Sequence, residues 1–177
     1  MATYENTPRI WLGCLNCYNG GRLVGAWYEA ADLYNDEELG TTADVHKKGG
    51  YRPGEYCEEI WGLDQENMPP RGEIGLAEAR KWGERYEELD SDEEWLAYCA
   101  WVRDSNDDGS VQDFKDHYRG SWESFAAYVQ DTEESEGLFD GWSELAVRHF
   151  DWDSYIEEVE QGYSVIDAPS GVWIFSY

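Results

Sequence analysis

Aromatic residues recur at helical spacing through the second half of the chain, and carboxylates fill most of the positions between them. Trp122, Phe125, Ala126 and Val129 stand at i, i+3, i+4 and i+7. The same interval repeats in Trp142, Leu145, Ala146 and His149 and again in Trp152, Tyr155, Ile156 and Val159. Upstream, Trp82, Tyr86 and Leu89, and then Trp95, Cys99 and Val102, fall at i, i+4 and i+7. Each stripe marks one apolar helix face, so five amphipathic helices must bury those faces on a sheet or on one another. Ser91 and Glu94 form a capping-box pattern ahead of Trp95, and Ser121 stands where it would cap the helix of Trp122.

Strands are predicted at both ends. Residues 9–28, RIWLGCLNCYNGGRLVGAWY, read as a hairpin turning at Tyr18-Asn19-Gly20-Gly21, because Asn-Gly supplies the positive φ angles of a tight turn. Residues 36–58, with Gly40, Gly49, Gly50, Pro53 and Gly54, read as loop with one short helix. Glu59-Ile60-Trp61-Gly62-Leu63 suits a third strand of the same sheet, and Pro69-Pro70-Arg71-Gly72 marks a boundary. Tyr163–Ile166 and the terminal GVWIFSY pair as a second hairpin about Ala168-Pro169-Ser170-Gly171. The expected class is α+β in three small segments. Residues 1–70 form an N-terminal β-rich domain, 71–108 a central helical domain, and 109–177 a C-terminal domain of helices with short strands.

Charge narrows the function. Thirty-nine acidic residues against thirteen basic give a formal net charge of −26. Self-repulsion on that scale opposes compactness, and it excludes nucleic acid and anionic membranes as partners, both being polyanions. Ten Trp and thirteen Tyr nevertheless supply an ordered core. No apolar run reaches membrane-spanning length, and MATYENTPRI lacks the basic start and apolar stretch of a signal peptide. With four cysteines read as reduced thiols, the expected location is the bacterial cytoplasm.

Candidate chemical sites are few. Asp104 to Lys115, DSNDDGSVQDFK, matches the first half of a calcium loop, but Lys115 stands where a bidentate Glu is needed. The plainer reading is a polar turn with Ser110 capping a helix and Asp113 as its N3 partner. Cys14-Leu15-Asn16-Cys17 is an isolated CxxC. On one extended strand its thiols point to opposite faces, and a zinc site would need Cys57 and Cys99 to converge from afar, so buried thiols are expected. His149, on an apolar stripe, reads as a core histidine. No nucleotide, nucleophile or zinc-protease motif occurs, and neither metal, cofactor nor catalytic residue is expected. Two alternatives stay open. One is a small glycosidase using paired carboxylates beside Trp and Tyr, and the other is a salt-adapted acidic surface without a specific partner.

The carboxylates are the informative feature, because they fall between the apolar stripes rather than in a tail. Asp104, Asp107, Asp108, Asp113 and Asp116 precede and enter one helix, and Glu123, Asp131, Glu133, Glu134 and Glu136 follow. Asp140, Glu144, Asp151, Asp153, Glu157, Glu158 and Glu160 complete the series. Ordered helices thus display rows of anions. Duplex DNA carries one charge per about 1.7 Å, so this charge equals that of about 13 base pairs, or about 26 in a symmetric dimer. An anionic decoy of DNA makes use of such a surface.

Tyr18-Asn19-x-Gly21-x-Leu23-Val24-Gly25-x-Trp27 resembles the N-terminal YNxGxLVGxW signature of ArdA-type antirestriction proteins. Glu59-Ile60-x-x-x-Asp64-x-Glu66 is similar to the acidic strand end closing their first domain. Phe125-Ala126-x-Tyr128-Val129, followed by Asp131 and Glu133, resembles the helix carrying their antirestriction motif. Gly171-Val172-Trp173-Ile174-Phe175 is similar to their last strand. The resemblance implies an elongated, curved homodimer of three small domains, with the dimer contact in the C-terminal one. It also implies mimicry of bent DNA, adding Asp64 and Glu66 to the acidic surface. The implied partner is a Type I restriction–modification enzyme, whose DNA groove is blocked. The Cys14–Cys17 pair, the glycine-rich stretch 49–54 and the high Trp content depart from that family pattern.

Overall fold

In the computed structural model, which describes residues 6–69, 72–105 and 109–177, the chain forms two compact units, Met1–Val111 and Gln112–Tyr177. Pro70 and Arg71 of the expected boundary, and Asn106, Asp107 and Asp108 of the acidic loop, lie outside the described residues. The class is α+β, as the mixture of helical stripes and terminal strands requires.

The first unit begins with β1 (Arg9–Cys14), α1 (Leu15–Asn19) and β2 (Gly25–Glu29). β1 and β2 pair antiparallel, Ile10 opposite Tyr28 and Trp11 opposite Trp27. The expected pairing is present, but its connection is not a tight turn. Cys14 to Asn19 closes one helical turn, with the Gly20 amide donating to the Asn16 carbonyl at 3.1 Å, and Gly21 alone takes positive φ, +74°. Gly25 of the signature has a steric reason: a Cβ there would enter the Trp11 indole.

Next come α2 (Ala30–Asn35), α3 (Thr42–Lys48), β3 (Ile60–Glu66), β4 (Ile74–Gly75), α4 (Leu76–Glu87) and α5 (Asp92–Ser105). β3 is the third strand expected from Glu59–Leu63, and the sheet order is β2-β1-β3-β4. The capping box of α5 forms nearly as predicted. The Glu94 amide donates to the Ser91 hydroxyl at 3.2 Å, while the Glu94 carboxylate accepts from the Asp90 amide at 3.0 Å, one residue earlier than the usual partner. Two anchors hold α5 to the segment after β3. The Trp95 indole donates to the Asn67 carbonyl at 2.8 Å and Arg103 donates to the Met68 carbonyl at 2.7 Å. Trp95 and Tyr98 are fully buried, their rings 5.7 Å apart. Burying each such ring contributes about 2–3 kcal/mol.

α4 packs on α2 so closely that no side chain fits at Gly83, where a Cβ would overlap the Ala30 carbonyl. Arg80, nearby on α4, donates to the Leu33 carbonyl at 3.0 Å, to Glu37 at 2.7 Å and to Leu39 at 3.2 Å. It therefore satisfies carbonyls at and beyond the end of α2, which the helix cannot satisfy itself.

α6 (Val111–His117) starts directly after Ser110, where the sequence predicts a cap. The second unit continues with β5 (Tyr118–Trp122), α7 (Phe125–Ser135), α8 (Glu144–Arg148), α9 (Trp152–Glu160), β6 (Tyr163–Asp167) and β7 (Val172–Ser176). The terminal hairpin forms as expected, with Ile166 opposite Trp173, and β5 adds to β7 to give the order β5-β7-β6. Here the helical reading overreached. Trp122 ends a strand, and the cap of α7 is Ser124, whose hydroxyl accepts from the Ala127 amide at 3.1 Å, not Ser121. Phe125, Tyr128, Val129 and Ile174 form the buried core, and Trp152, Tyr155, Ile156 and Val159 of α9 cover it as their spacing predicts. The stripe of α8 does not behave so. That helix buries no residue, Leu145 is 64% exposed, and His149 is an exposed residue rather than a core histidine. With five residues α8 spans little more than one turn, too little for period alone to fix a buried face.

The Gly83 contact is directly testable. Gly83→Ala should lower stability by about 3 kcal/mol, the upper end of what overpacking costs, despite the higher helix propensity of alanine. Urea unfolding of the two proteins measures the difference.

Candidate functional surface

The predicted anions that the structure describes lie on helices and strands and on the turns that join them, nearly all of them exposed. Asp64 and Glu66 are exposed at the end of β3, and Glu66 meets Arg9 at 3.4 Å. Asp104 at the end of α5, Asp113 and Asp116 on α6, and Glu123 before α7 are exposed. So are Asp131, Glu134, Glu136, Asp140, Glu144, Asp151, Asp153, Glu157, Glu158 and Glu160, while Glu133 is half-buried. Asp107 and Asp108 fall outside the described residues. Within Gln112–Tyr177 the lysines and arginines are Lys115, Arg119 and Arg148 alone.

Some of these carboxylates assist the fold. Asp151 caps α9, accepting from the Ser154 amide at 3.1 Å and the Ser154 hydroxyl at 2.9 Å, and these bonds hold its carboxyl below the usual range. Others oppose it. Glu157, Glu158 and Glu160 occupy the last turn of α9, and Glu134 that of α7, with Glu136 at its C-cap; neither helix has a basic residue in its last turn. The C-terminal end of a helix carries partial negative charge, so an anion there costs about 0.3–1 kcal/mol where a cation would stabilise. The two acidic ends meet electrostatically at Tyr155. Burial raises its phenol, and a hydrogen bond to Glu133 together with the charges of Glu158 and Glu136 raises it further.

Phe125, Ala126, Tyr128 and Val129 of the motif-like segment serve differently. Phe125, Tyr128 and Val129 are buried in the core and Ala126 is half-buried. They fix α7 to the sheet and so set where Asp131, Glu133 and Glu134 project. Beside them, Phe139, Trp142, Phe150 and Trp152 form a cluster of edge-to-face rings with centroids 4.9–5.9 Å apart, and Trp142 remains 47% exposed.

All four cysteines are free and buried, as expected, but their arrangement is not the one expected. Cys17 lies in α1 rather than on the strand of Cys14, and on a helical turn positions i and i+3 share a face. The thiols of Cys14 and Cys17 therefore converge, and Cys57 and His46 join them in one buried cluster. Cys99 does not take part. It is buried in α5 near the Asn67 carbonyl, and burial pushes its thiol up to about 12. No fixed spacing links positions 17, 46 and 57, so only the fold reveals the cluster.

Fold and surface together define an acidic α+β protein whose charge is spread over helices, strands and the turns between them rather than gathered in a tail. No described helix is long and apolar enough to cross a membrane. The chain belongs to the ArdA family: the family described as Antirestriction protein (ArdA) matches residues 10–173. Comparison with curated proteins finds no match. Membership makes the function antirestriction and implies interaction with restriction–modification enzymes. It favours neither the glycosidase nor the salt-adapted reading.

If the helix-end carboxylates are kept for a partner, removing them should strengthen the free protein. The triple variant Glu157→Gln/Glu158→Gln/Glu160→Gln should melt roughly 2–5 °C higher than the parent in dilute buffer. The difference should shrink in salt. Differential scanning calorimetry at two ionic strengths gives the comparison, and a lower melting temperature would mean these residues support the fold.

Proposed function

We propose that this protein mimics DNA, occupying the DNA-binding groove of a Type I restriction–modification enzyme and blocking restriction without catalysing a reaction. One observation supports this above the rest. Acidic residues crowd the C-terminal ends of α7 and α9, where they weaken the protein that carries them. Charge maintained against stability points to a cationic partner. The exposed carboxylates, including Asp64 and Glu66 of the first unit, take the place of phosphates and meet lysines and arginines of the groove. Such binding releases counterions, so it resembles protein–DNA association in its salt dependence. The acting form is a homodimer in the bacterial cytoplasm, where restriction enzymes work. Trp142 and Leu145, exposed on the C-terminal unit, offer apolar surface for the dimer contact.

Inhibition of a purified Type I enzyme, titrated from about 50 to 200 mM salt, should weaken by about 10³-fold or more. Single neutralisations such as Asp131→Asn should change it only slightly, since no one contact dominates. Salt-independent inhibition would exclude the electrostatic mechanism. Loss of all activity on one Asp→Asn change would favour catalysis by that carboxylate.

A further inference from the structure

We propose that Cys14, Cys17, His46 and Cys57 form a structural zinc site that clamps three separate segments of the N-terminal unit. Their ligand atoms all lie within 4.8 Å of one another, and the four residues are buried, at 1%, 2%, 1% and 8% exposure. Three thiols and one imidazole are a set that zinc takes in closed tetrahedral structural sites. The Cys17 and Cys57 sulfurs stand 3.8 Å apart. A tetrahedron with Zn–S bonds of about 2.3 Å has an edge of about 3.8 Å. A disulfide would need the two sulfurs about 2.05 Å apart.

His46 gives the independent argument. Its Nδ1 lies 2.9 Å from the Tyr51 carbonyl, which can only accept, so Nδ1 carries the proton. In the neutral ring Nε2 then holds a free lone pair, and Nε2 is buried without a hydrogen-bond partner. Leaving such an atom unsatisfied opposes folding, because its bond to water is lost and nothing replaces it. A core made only of thiols and apolar groups gives no reason to place it there. A metal does, and imidazole held through its other nitrogen by a carbonyl is the arrangement that orients metal-bound histidine.

Two donors reach the Cys57 sulfur. The Gly54 amide approaches the Cys57 sulfur at 3.3 Å and the Asn16 side-chain amide at 3.7 Å, both as donors. Val24 packs against the cluster, and Ile60 lies at its edge. Hard cations such as calcium and magnesium choose oxygen ligands, and no oxygen ligand belongs to this set. With four protein ligands there is no open position for water or substrate, so the role is structural. The segment between α3 and β3, with Gly49, Gly50, Pro53 and Gly54, has little regular structure of its own. Zinc would tie its two ends, through His46 and Cys57, to the β1–α1 corner. This inference is independent of which enzyme the acidic surface meets.

Elemental analysis of protein purified under reducing conditions without chelator should find one zinc per chain, retained on dialysis and released by a thiol-blocking reagent. Cobalt(II) added to the metal-free chain should give the intense visible absorption of tetrahedral thiolate coordination. Cys17→Ser and His46→Ala should each weaken zinc binding at least about tenfold, whereas Cys99→Ser should bind as the parent does. Removing zinc from the parent should lower its melting temperature. A parent chain that takes up neither zinc nor cobalt while remaining folded would overturn the proposal. So would a Cys17–Cys57 disulfide in the protein isolated from cells, or a parent whose melting is indifferent to zinc removal.

Discussion

Like-charge repulsion is the constraint around which this molecule is organised. A chain of net charge −26 can stay compact only if apolar contact outweighs the mutual repulsion of its surface, and here aromatic rings supply much of that contact. In the first unit Trp82, Trp95 and Tyr98 lie ring to ring inside the helical layer, and in the second Phe125 and Tyr128 of α7 do the same with Tyr163 of β6. Large flat side chains bury much area with few rotatable bonds, so they stabilise strongly at low conformational cost. That leaves the solvent faces open to carboxylates.

Several of the arginines follow the same logic, although Arg9 and Lys48 do pair with Glu66 and Asp44. Arg80 and Arg103 direct hydrogen bonds at backbone carbonyls, and Arg119 donates to the carbonyls of Asp116 and Tyr118. Arg22 stacks on Tyr51 and donates to its hydroxyl at 2.6 Å. In these roles a guanidinium organises loops and helix ends through directional bonds rather than through pairing with surface acids. Arginine suits this because its planar fork reaches several carbonyls at once, as Arg80 does.

Much of the architecture was legible in the sequence, for physical reasons that differ from element to element. The pairing of β1 with β2 and of β6 with β7 followed from apolar runs flanking turn residues, a local signal. The faces of α5, α7 and α9 followed from period, since each is long enough to show it. Elements of five residues defeated the same reasoning. α1 hides inside an apparent strand, α8 has the right period but buries no residue, and Trp122, read as the start of a helical stripe, ends β5. The acidic surface was legible because charge is a property of composition. The cysteine–histidine cluster was not, because its members come from three segments whose approach depends on the tertiary fold. Arg80 shows the same limit, since its three carbonyl partners lie more than forty positions away.

The acidic ends of α7 and α9 have one more consequence. In the free protein the last turns of both helices are held under electrostatic load, so they should be the first parts of the second unit to fray. A cationic groove closing over them would remove that load, and the same residues that loosen the helices in solution would then brace them. Recognition on these terms is a tightening of the inhibitor itself. Its helix ends would exchange amide protons more slowly in the complex even where no partner atom touches the backbone.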